Sequence, residues 1–333
     1  LTPGFAPFDA RIKGEYGYQV YDNVLSALEF ERLVSLAGST TAHLSRPSDG
    51  ARPNKLAFIH CVGSRDKNKY PYCSNYCCMY TLKHVVQLKE KYKEDIEVYV
   101  FYMDIRSPGK GYEEFYDRAR ERGVIFIQGR VSRIAEDPGT HNMVVHSEDS
   151  KLGQPIEIPA DMVVLATAGI PKEGSAEIAR ILNLSRGSDG FFMESHPKLK
   201  PMDAPTDGVF YAGACQGLKD IPASVAQGCG AASRAATVIS KSKWKIEPII
   251  SVIDPNKCKS CGVCVEKCPY GAIKWEKGKP ATVITASCHG CGTCVAECPQ
   301  HAITQMHFTD AQILAQIRAA LEDKPEEKIL AIL

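Results

Sequence analysis

Lys257-Cys258-Lys259-Ser260-Cys261-Gly262-Val263-Cys264-Val265-Glu266-Lys267-Cys268-Pro269 returns thirty residues later as Ser287-Cys288-His289-Gly290-Cys291-Gly292-Thr293-Cys294-Val295-Ala296-Glu297-Cys298-Pro299. Each half reads C-x2-C-x2-C-x3-C-P, the two-cluster bacterial ferredoxin run, in which the fourth Cys of each half serves the other half's cluster. The spacing has a physical reason: three thiolates two residues apart wrap one loop around three irons, and Gly262 and Gly292 relieve crowding there. The expected assignment is therefore crossed. One 4Fe-4S cubane takes Cys258, Cys261, Cys264 and Cys298, and the other takes Cys288, Cys291, Cys294 and Cys268. Two structural zinc sites are the competing reading, but zinc draws pairs of cysteines from separated knuckles rather than CxxCxxC triples. Disulfides fit less well, because so dense a ligand set without a secretory signal points to a reducing, cytoplasmic setting. Ile273, Trp275, Ile284, Ile303 and Met306 are expected to pack as core around the clusters, where dryness helps tune potential.

The rest of the composition is that of a globular protein. The chain has 333 residues, 44% of them hydrophobic, and its 40 Lys+Arg against 39 Asp+Glu leave a net charge of +1. No global field favours nucleic acid or an anionic membrane surface, so neither partner is expected. No apolar run approaches the ~18 residues of a membrane span. The start, Leu1-Thr2-Pro3-Gly4-Phe5, has no initiator Met and no signal-peptide pattern, which fits a processed product, half of a split protein or a piece of a longer chain.

Upstream of the repeat, strand-like runs at Lys55–Cys61, Glu97–Ile105, Val124–Gln128 and Met162–Thr167 alternate with helical patterns at Tyr76–Lys93, Tyr112–Arg122 and Ser175–Leu182. That alternation predicts an α/β fold with a parallel, nucleotide-binding type of sheet. Ser240–Pro248 reads as a basic, Pro-ended linker. Thr309–Glu322 reads as a capped helix, followed by a charged linker and a strand-like Ile329–Leu333.

Two segments look like the C-terminal half of a flavin-dependent disulfide-reductase fold. Asp161–Gly169 is an apolar strand ending in small residues that let backbone approach a cofactor. Thr206–Ala214 and then Asp220–Gly228 read as strand, loop and helix start, and in that fold the helix N-terminus aims amides at the flavin. The candidate FAD residues are Gly169, Gly213, Ala214, Asp220, Ile221, Pro222, Ser224 and Gln227. Gly213-Ala214 stands where the family usually has Gly-Asp, which removes one expected ribityl contact. No G-x-G-x-x-G follows a predicted strand, so the FAD site reads as a half site completed from elsewhere; a decayed fold that binds nothing is the alternative.

Where such reductases keep a second Gly-rich loop for NAD(P)H, this chain has Ala57-Phe58-Ile59-His60-Cys61-Val62-Gly63-Ser64-Arg65 and then Cys73-Ser74-Asn75-Tyr76-Cys77-Cys78. Cys73 and Cys77 are expected one helical turn apart, with Cys61 and Cys78 approaching from the side. The helix dipole with Arg65, Lys67 and Lys69 would offset thiolate charge. Spacing alone leaves open whether these are cluster ligands or buried thiols.

Taken together, Phe58–Arg65 with Cys73–Cys78, the half flavin site at Ala212–Gly228 and the double ferredoxin run resemble, over essentially the whole chain, the A subunits of heterodisulfide reductase, the HdrA family. The resemblance implies a partial thioredoxin-reductase-like flavoprotein: an FAD subdomain at residues 1–54 and 160–246, an NAD(P)H-domain-like subdomain at 55–159, a two-cluster ferredoxin domain at 247–308 and a C-terminal helix and linker at 309–333. It also implies that Cys61, Cys73, Cys77 and Cys78 bind a third 4Fe-4S cluster near the flavin. The implied reaction is flavin-based electron bifurcation. An electron pair arrives from a hydrogenase or formate dehydrogenase partner; one electron goes to ferredoxin and one toward a disulfide on the B and C subunits. A separate N-terminal half is a further implied partner.

Two other readings stand beside it: an NAD(P)H-dependent flavoprotein reductase, disfavoured by the replaced loop, and a non-catalytic electron relay. No residue is expected in hydrolytic or acid-base catalysis. His60, His196, His289 and His301 read as structural, with tuning of the Cys61 site the alternative for His60; Glu113-Glu114 reads as a solvated helix face, and Cys215 and Cys229 as small buried thiols.

Overall fold

The computed structural model describes residues 1–35, 43–241 and 249–322. In chain order its elements are β1 (Phe5–Pro7), β2 (Val24–Ser26), α1 (Ala27–Val34), β3 (Lys55–Val62), α2 (Cys77–Tyr92), β4 (Glu97–Tyr102), α3 (Tyr112–Glu121) and β5 (Ile125–Gln128). Then follow β6 (Val131–Glu136), β7 (Met143–Asp149), β8 (Gln154–Ala160), β9 (Met162–Thr167), β10 (Gly169–Pro171), α4 (Ser175–Leu182) and α5 (Ile221–Ile239). The cysteine repeat contributes β11 (Ser251–Ile253), α6 (Val263–Lys267), β12 (Ile273–Lys274), β13 (Thr282–Val283), α7 (Thr293–Ala296), β14 (Ile303–Gln305) and α8 (Asp310–Leu321).

These elements form two units. The first takes in Leu1–Ser175, Arg186–Phe192 and Ala212–Gly228. β9 is buried at every position and β3 at nearly every one, the pattern of strands covered on both faces rather than one. They pair in parallel, Leu56 opposite Met162 and Ile59 opposite Leu165, at the centre of a five-stranded parallel sheet of order β2-β9-β3-β4-β5. Alternate side chains feed two cores: Phe8, Phe101, Met143 and Leu165 on one face, and Phe30, Leu82, Val85 and Val164 on the other. The Asp161 carboxylate accepts from the N–H groups of Asn54 (2.6 Å) and Lys55 (3.0 Å), which ties the starts of β3 and β9.

The expected parallel α/β sheet is present, but the boundary expected at residue 160 does not divide it. β9 inserts between β2 and β3, so segments from both sides of that boundary share one set of ladder hydrogen bonds. The antiparallel meander β6-β7-β8, unread in the sequence, occupies the stretch between β5 and β9. β4 ends at Tyr102, short of the expected Ile105. β1 pairs with β10 antiparallel, Phe5 opposite Pro171.

The second unit takes in Ala176–Ser185, Met193–Tyr211 and the chain from Cys229 onward. Its strands are two or three residues long: β11 pairs with β14 and β12 with β13, both antiparallel. The thirty-residue repeat carries β11 onto β13 and β12 onto β14, so the sequence duplication is also a structural one. Gly262 and Gly292 cap α6 and α7 at φ +80° and +76°, a left-handed conformation that a side chain would strain. Cys264, Ile273, Ala281, Cys294 and Ile303 form the core, half-buried Ile284 follows β13, and Trp275 and Met306, expected inside, are 38% and 43% exposed. A unit this small has too little interior for them, and Trp275 instead lies over Gly262 with its Nε1 donating to Ser260 Oγ at 2.8 Å. α8 begins at Thr309 with the expected cap, here a full capping box. The linker expected up to Pro248 and the strand expected at Ile329–Leu333 lie mostly or wholly outside the described residues.

Candidate functional site: three groups of cysteines and half a cofactor cradle

Each half of the repeat folds as a loop, a left-handed Gly and a short helix, and this delivers its first three cysteines to one recess. The fourth sits after the helix and reaches the other recess. Cys258, Cys261, Cys264 and Cys298 line a recess of about 370 Å³, whose wall includes Ile253, Trp275 and Ile303. Cys268, Cys288, Cys291 and Cys294 line a second, of about 320 Å³, with Tyr270 and His289 stacked at its rim at 4.3 Å. These are the groupings the crossed reading expects. Backbone N–H groups turn inward as well: Ala272 donates to Cys268 Sγ (3.3 Å), Ala302 to Cys298 Sγ (3.4 Å) and Ser251 to Cys288 Sγ (3.5 Å). Burial raises the Cys264 and Cys294 thiols, and the neighbouring thiols raise them further. Thiols gathered this closely suit a cationic centre among them, because a coordinating thiol loses its proton outright. Among the described residues all fourteen cysteines are free of disulfides, and no three potential ligands converge on one point as they would around a single ion. Donors set around a void suit a polynuclear centre.

In the first unit, β3 breaks register between Ile59 and Val62, and Cys61 takes φ +59° there. The distortion lets neighbouring residues turn toward the helix that follows. At the head of α2 lie Cys77 and Cys78, both buried. Cys73 does not share that helix: Asn75 at φ +61° ends the preceding loop, so Cys73 approaches from coil instead of from one turn earlier, and its Sγ accepts from Asn75 N–H at 3.3 Å. Burial pushes the Cys61 thiol up to about 11, and its ionisation is further opposed by Cys78 and Cys73. Cys77 is raised by its hydrogen bond with Cys78 and by burial, while Cys78 is lowered by Cys77 and then by His60. Cys77 thus senses the other three thiols.

His60 lies beside these thiols. It is 7% exposed, its Nδ1 lies 3.8 Å from Cys78 Sγ, and its Nε2 is buried with no hydrogen-bond partner among the described residues. The Arg65 guanidinium is held by Asp104 at 2.6 Å and bears electrostatically on Cys61 and Cys73, whereas Lys67 and Lys69 are exposed. Asp66 anchors the connecting loop through Lys13 (2.7 Å) and Arg130 (3.3 Å). Beside the thiols, Phe5, Tyr76, Tyr80 and His84 wall a recess of about 540 Å³ that also reaches Ala27 and Thr167. Those two residues mark the carboxyl ends of β2 and β9, the edge at which parallel α/β sheets receive ligands.

The expected FAD residues split by environment. Gly169 is packed by its own chain: an added Cβ would meet Leu218 Cδ2 at 2.5 Å, its N–H and carbonyl are bonded to Ser74 and Tyr72, and no open face is left for a cofactor. Gly213, at φ +76°, has nothing within 4 Å of where a side chain would be and adjoins Ala214 in the same turn. Asp220 is engaged by Tyr112 Oη (2.6 Å) and by Ala223 N–H (2.8 Å), acting as the cap that starts α5. Ile221 and Pro222 are exposed, Ser224 bonds back to the Asp220 carbonyl, and Gln227 bonds Gln216 while its Oε1 is buried without a partner among the described residues. An open glycine, an unanswered buried acceptor and an uncovered helix start fit one side of a cofactor cradle.

Cys215 is buried as expected, but Cys229 is exposed. α5 is so rich in Ala and Gly that its composition marks no inner face. Glu113 and Glu114 do lie in the first turn of α3, and Glu113 accepts from Ser107.

Residues 250–313 match the family model described as a 4Fe-4S dicluster domain. The second of the iron-sulfur A subunits of CoB–CoM heterodisulfide reductase from Methanopyrus kandleri is 50% identical over 273 residues, covering 81% of this chain and 42% of the relative. The A subunit of H2:CoB-CoM heterodisulfide,ferredoxin reductase from Methanothermobacter thermautotrophicus is 50% identical over 326 residues, 97% of this chain and 49% of its own. Over most of its length the chain is thus similar to the A subunits of heterodisulfide reductase, the HdrA family. It spans about half the length of the curated relatives it matches. Among solved structures, T. acidophilum thioredoxin reductase aligns with a TM-score of 0.45 at 15% identity over 72% of this chain and 64% of its own. Among the described residues no helix is long and apolar enough to cross a membrane.

Proposed function

We propose that the chain is the iron-sulfur and flavin-binding part of a heterodisulfide reductase-type oxidoreductase, converting between electron pairs and single electrons. The observation that carries the reading is the grouping of eight cysteines around the two recesses of the repeat; Cys77 and Cys78 at the head of α2, with Cys61 and Cys73 near enough to bear on the ionisation of Cys77, support a third site. Cys258, Cys261, Cys264 and Cys298 hold one 4Fe-4S cluster; Cys268, Cys288, Cys291 and Cys294 hold the second; Cys61, Cys73, Cys77 and Cys78 hold the third. Gly213, Ala214 and Gln227 with the start of α5 form one side of an FAD site whose remainder comes from elsewhere. When bound, the flavin supplies two-electron chemistry and the clusters supply one-electron chemistry. The protein's part is to desolvate the thiolates, hold them with inward N–H groups and balance their charge with Arg65 and the α2 N-terminus. The electron pair enters from a hydrogenase- or formate dehydrogenase-type partner in the cytoplasm, and the single electrons leave to ferredoxin and toward a heterodisulfide held by B- and C-type subunits.

Anaerobic quantitation of iron, sulfide and flavin in the complex tests this. About twelve irons with one flavin per chain is expected for three cubanes. About eight irons without flavin removes the α2 site and the FAD reading together and leaves a relay built on the ferredoxin repeat.

A further inference from the structure

The thirty-residue repeat makes the two ferredoxin-type recesses near copies, so the places where they differ are informative. Ser251 and Thr293 lie at one of them. The repeat carries these two positions onto Ala281 and Val263, neither of which has a hydroxyl. Ser251 is 3% exposed, and its hydroxyl lies 3.2 Å from Cys294 Sγ while its N–H donates to Cys288 Sγ at 3.5 Å. Thr293 Oγ1 lies 3.5 Å from Cys291 Sγ. Three of the four sulfurs lining this recess therefore have a hydroxyl or N–H partner from these two residues. At the other recess the side chains of Ala281 and Val263 end in methyl groups, the Ser260 hydroxyl is bonded to Glu276, Trp275 and Gly278, and Trp275 adds an apolar wall.

In the metal-free protein the Cys294 thiol donates to Ser251. Once Cys294 is deprotonated by a metal, the same contact survives only if Ser251 turns and donates to the sulfur. A hydrogen bond to a cluster sulfur stabilises its negative charge, and that charge is larger in the reduced form, so each such bond raises the reduction potential. A buried hydroxyl acts at low dielectric, whereas the exposed Lys259 beside the other recess is screened by solvent.

We propose that Ser251, aided by Thr293, makes the two clusters unequal: the one on Cys268, Cys288, Cys291 and Cys294 has the higher potential and is where a single electron rests. The proposal rests on the cluster assignment above. Ser251 acts through the cysteines as a positioning residue, and the asymmetry gives the repeat a direction of electron flow that its duplicated sequence would otherwise lack.

Anaerobic redox titration of the full complex, followed by electron paramagnetic resonance, tests it with Ser251→Ala and the mirror substitution Ala281→Ser. Expected are a downward shift of one ferredoxin-type midpoint in Ser251→Ala with the other unmoved, and an upward shift of the other midpoint in Ala281→Ser. Unmoved midpoints in both variants at full iron content, or equal movement of both clusters, overturn the proposal. Should Ser251→Ala lose its iron, Ala281→Ser decides alone: a raised midpoint supports the inference and an unchanged one sinks it. A wild-type complex lacking either ferredoxin-type signal would instead defeat the underlying cluster assignment, and iron content tells the two failures apart.

Discussion

In the five-stranded sheet the interior is built from Val, Leu, Ile, Met and Phe, and β9 has no exposed position. In the cysteine repeat the buried core is two cysteines with Ile273, Ala281 and Ile303, and the longest strand has three residues. The first region carries its cohesion in side chains. The second has strands too short to hold by ladder bonds and a core whose members are also the ligands, so its folding free energy comes from what those ligands bind. The comparison teaches where to look for fragility: in the sheet it follows volume, in the repeat it follows iron.

Removing iron should therefore have the largest effect and should fall on one region only. Anaerobic chelation is expected to bring amide exchange from β11 through β14 close to that of an unfolded chain, while amides of β3 and β9 stay protected. Uniform loss of protection in both regions would mean that the two do not differ in this way. Next in size is the reverse experiment. Leu165 is fully buried between β2 and β3, and Leu165→Ala should cost about 2–5 kcal/mol in denaturant unfolding while leaving the iron-dependent amides as they were. A cost below about 1 kcal/mol would show a sheet core loose enough to refill the cavity.

The same contrast explains what can be read in the residue string. β9 and α4 are readable to the residue because an unbroken apolar run and a 3.6-residue period are local signals. The crossed grouping of Cys268 and Cys298 is readable because spacing around a cubane is stereochemistry. The β6-β7-β8 meander is not, since β8 is largely exposed and its pairing with β7 is a tertiary choice. The contact of His60 with Cys78 is not legible because it depends on the irregularity after Ile59, which no local pattern announces. Ser251 carries a signal that is easily passed over: laying the two halves over each other sets it against Ala281.

Asp66 offers a smaller test, at the loop that leads from Cys61 to Cys73. Its carboxyl is held below the usual carboxylate range, first by Lys13 and then by the Asn68 N–H, with Arg130 adding attraction. A group lowered in the folded state contributes stability that is fully present above its unfolded value near 3.8 and is lost as pH falls through the lower folded value. Asp66→Asn should thus weaken the protein at neutral pH by about 1 kcal/mol, since Arg130 is half exposed and screened, and the difference from wild type should shrink below pH 4. Unfolding midpoints measured from pH 3 to 7 check the sign. A gap that widens on acidification would mean that the carboxylate is not what holds this loop.

α8 belongs to neither regime, which makes it the sharpest control. It has no buried residue, so neither core packing nor ligand binding holds it, and what remains is local. Thr309 Oγ1 accepts from the Gln312 N–H while Gln312 Oε1 accepts from the Thr309 N–H, so two of the donors a helix start leaves unanswered are satisfied by each other's side chains. Thr309→Ala removes one acceptor outright and loosens the other, a loss of about 1 kcal/mol. Because the helix frays independently, that loss should appear as roughly fivefold faster amide exchange within α8 and nowhere else. The global unfolding midpoint should not move, and neither should iron content. If instead the substitution lowered the midpoint of the whole chain, α8 would be coupled to a core, and the division between cohesion by side chains and cohesion by ligands would need a third member.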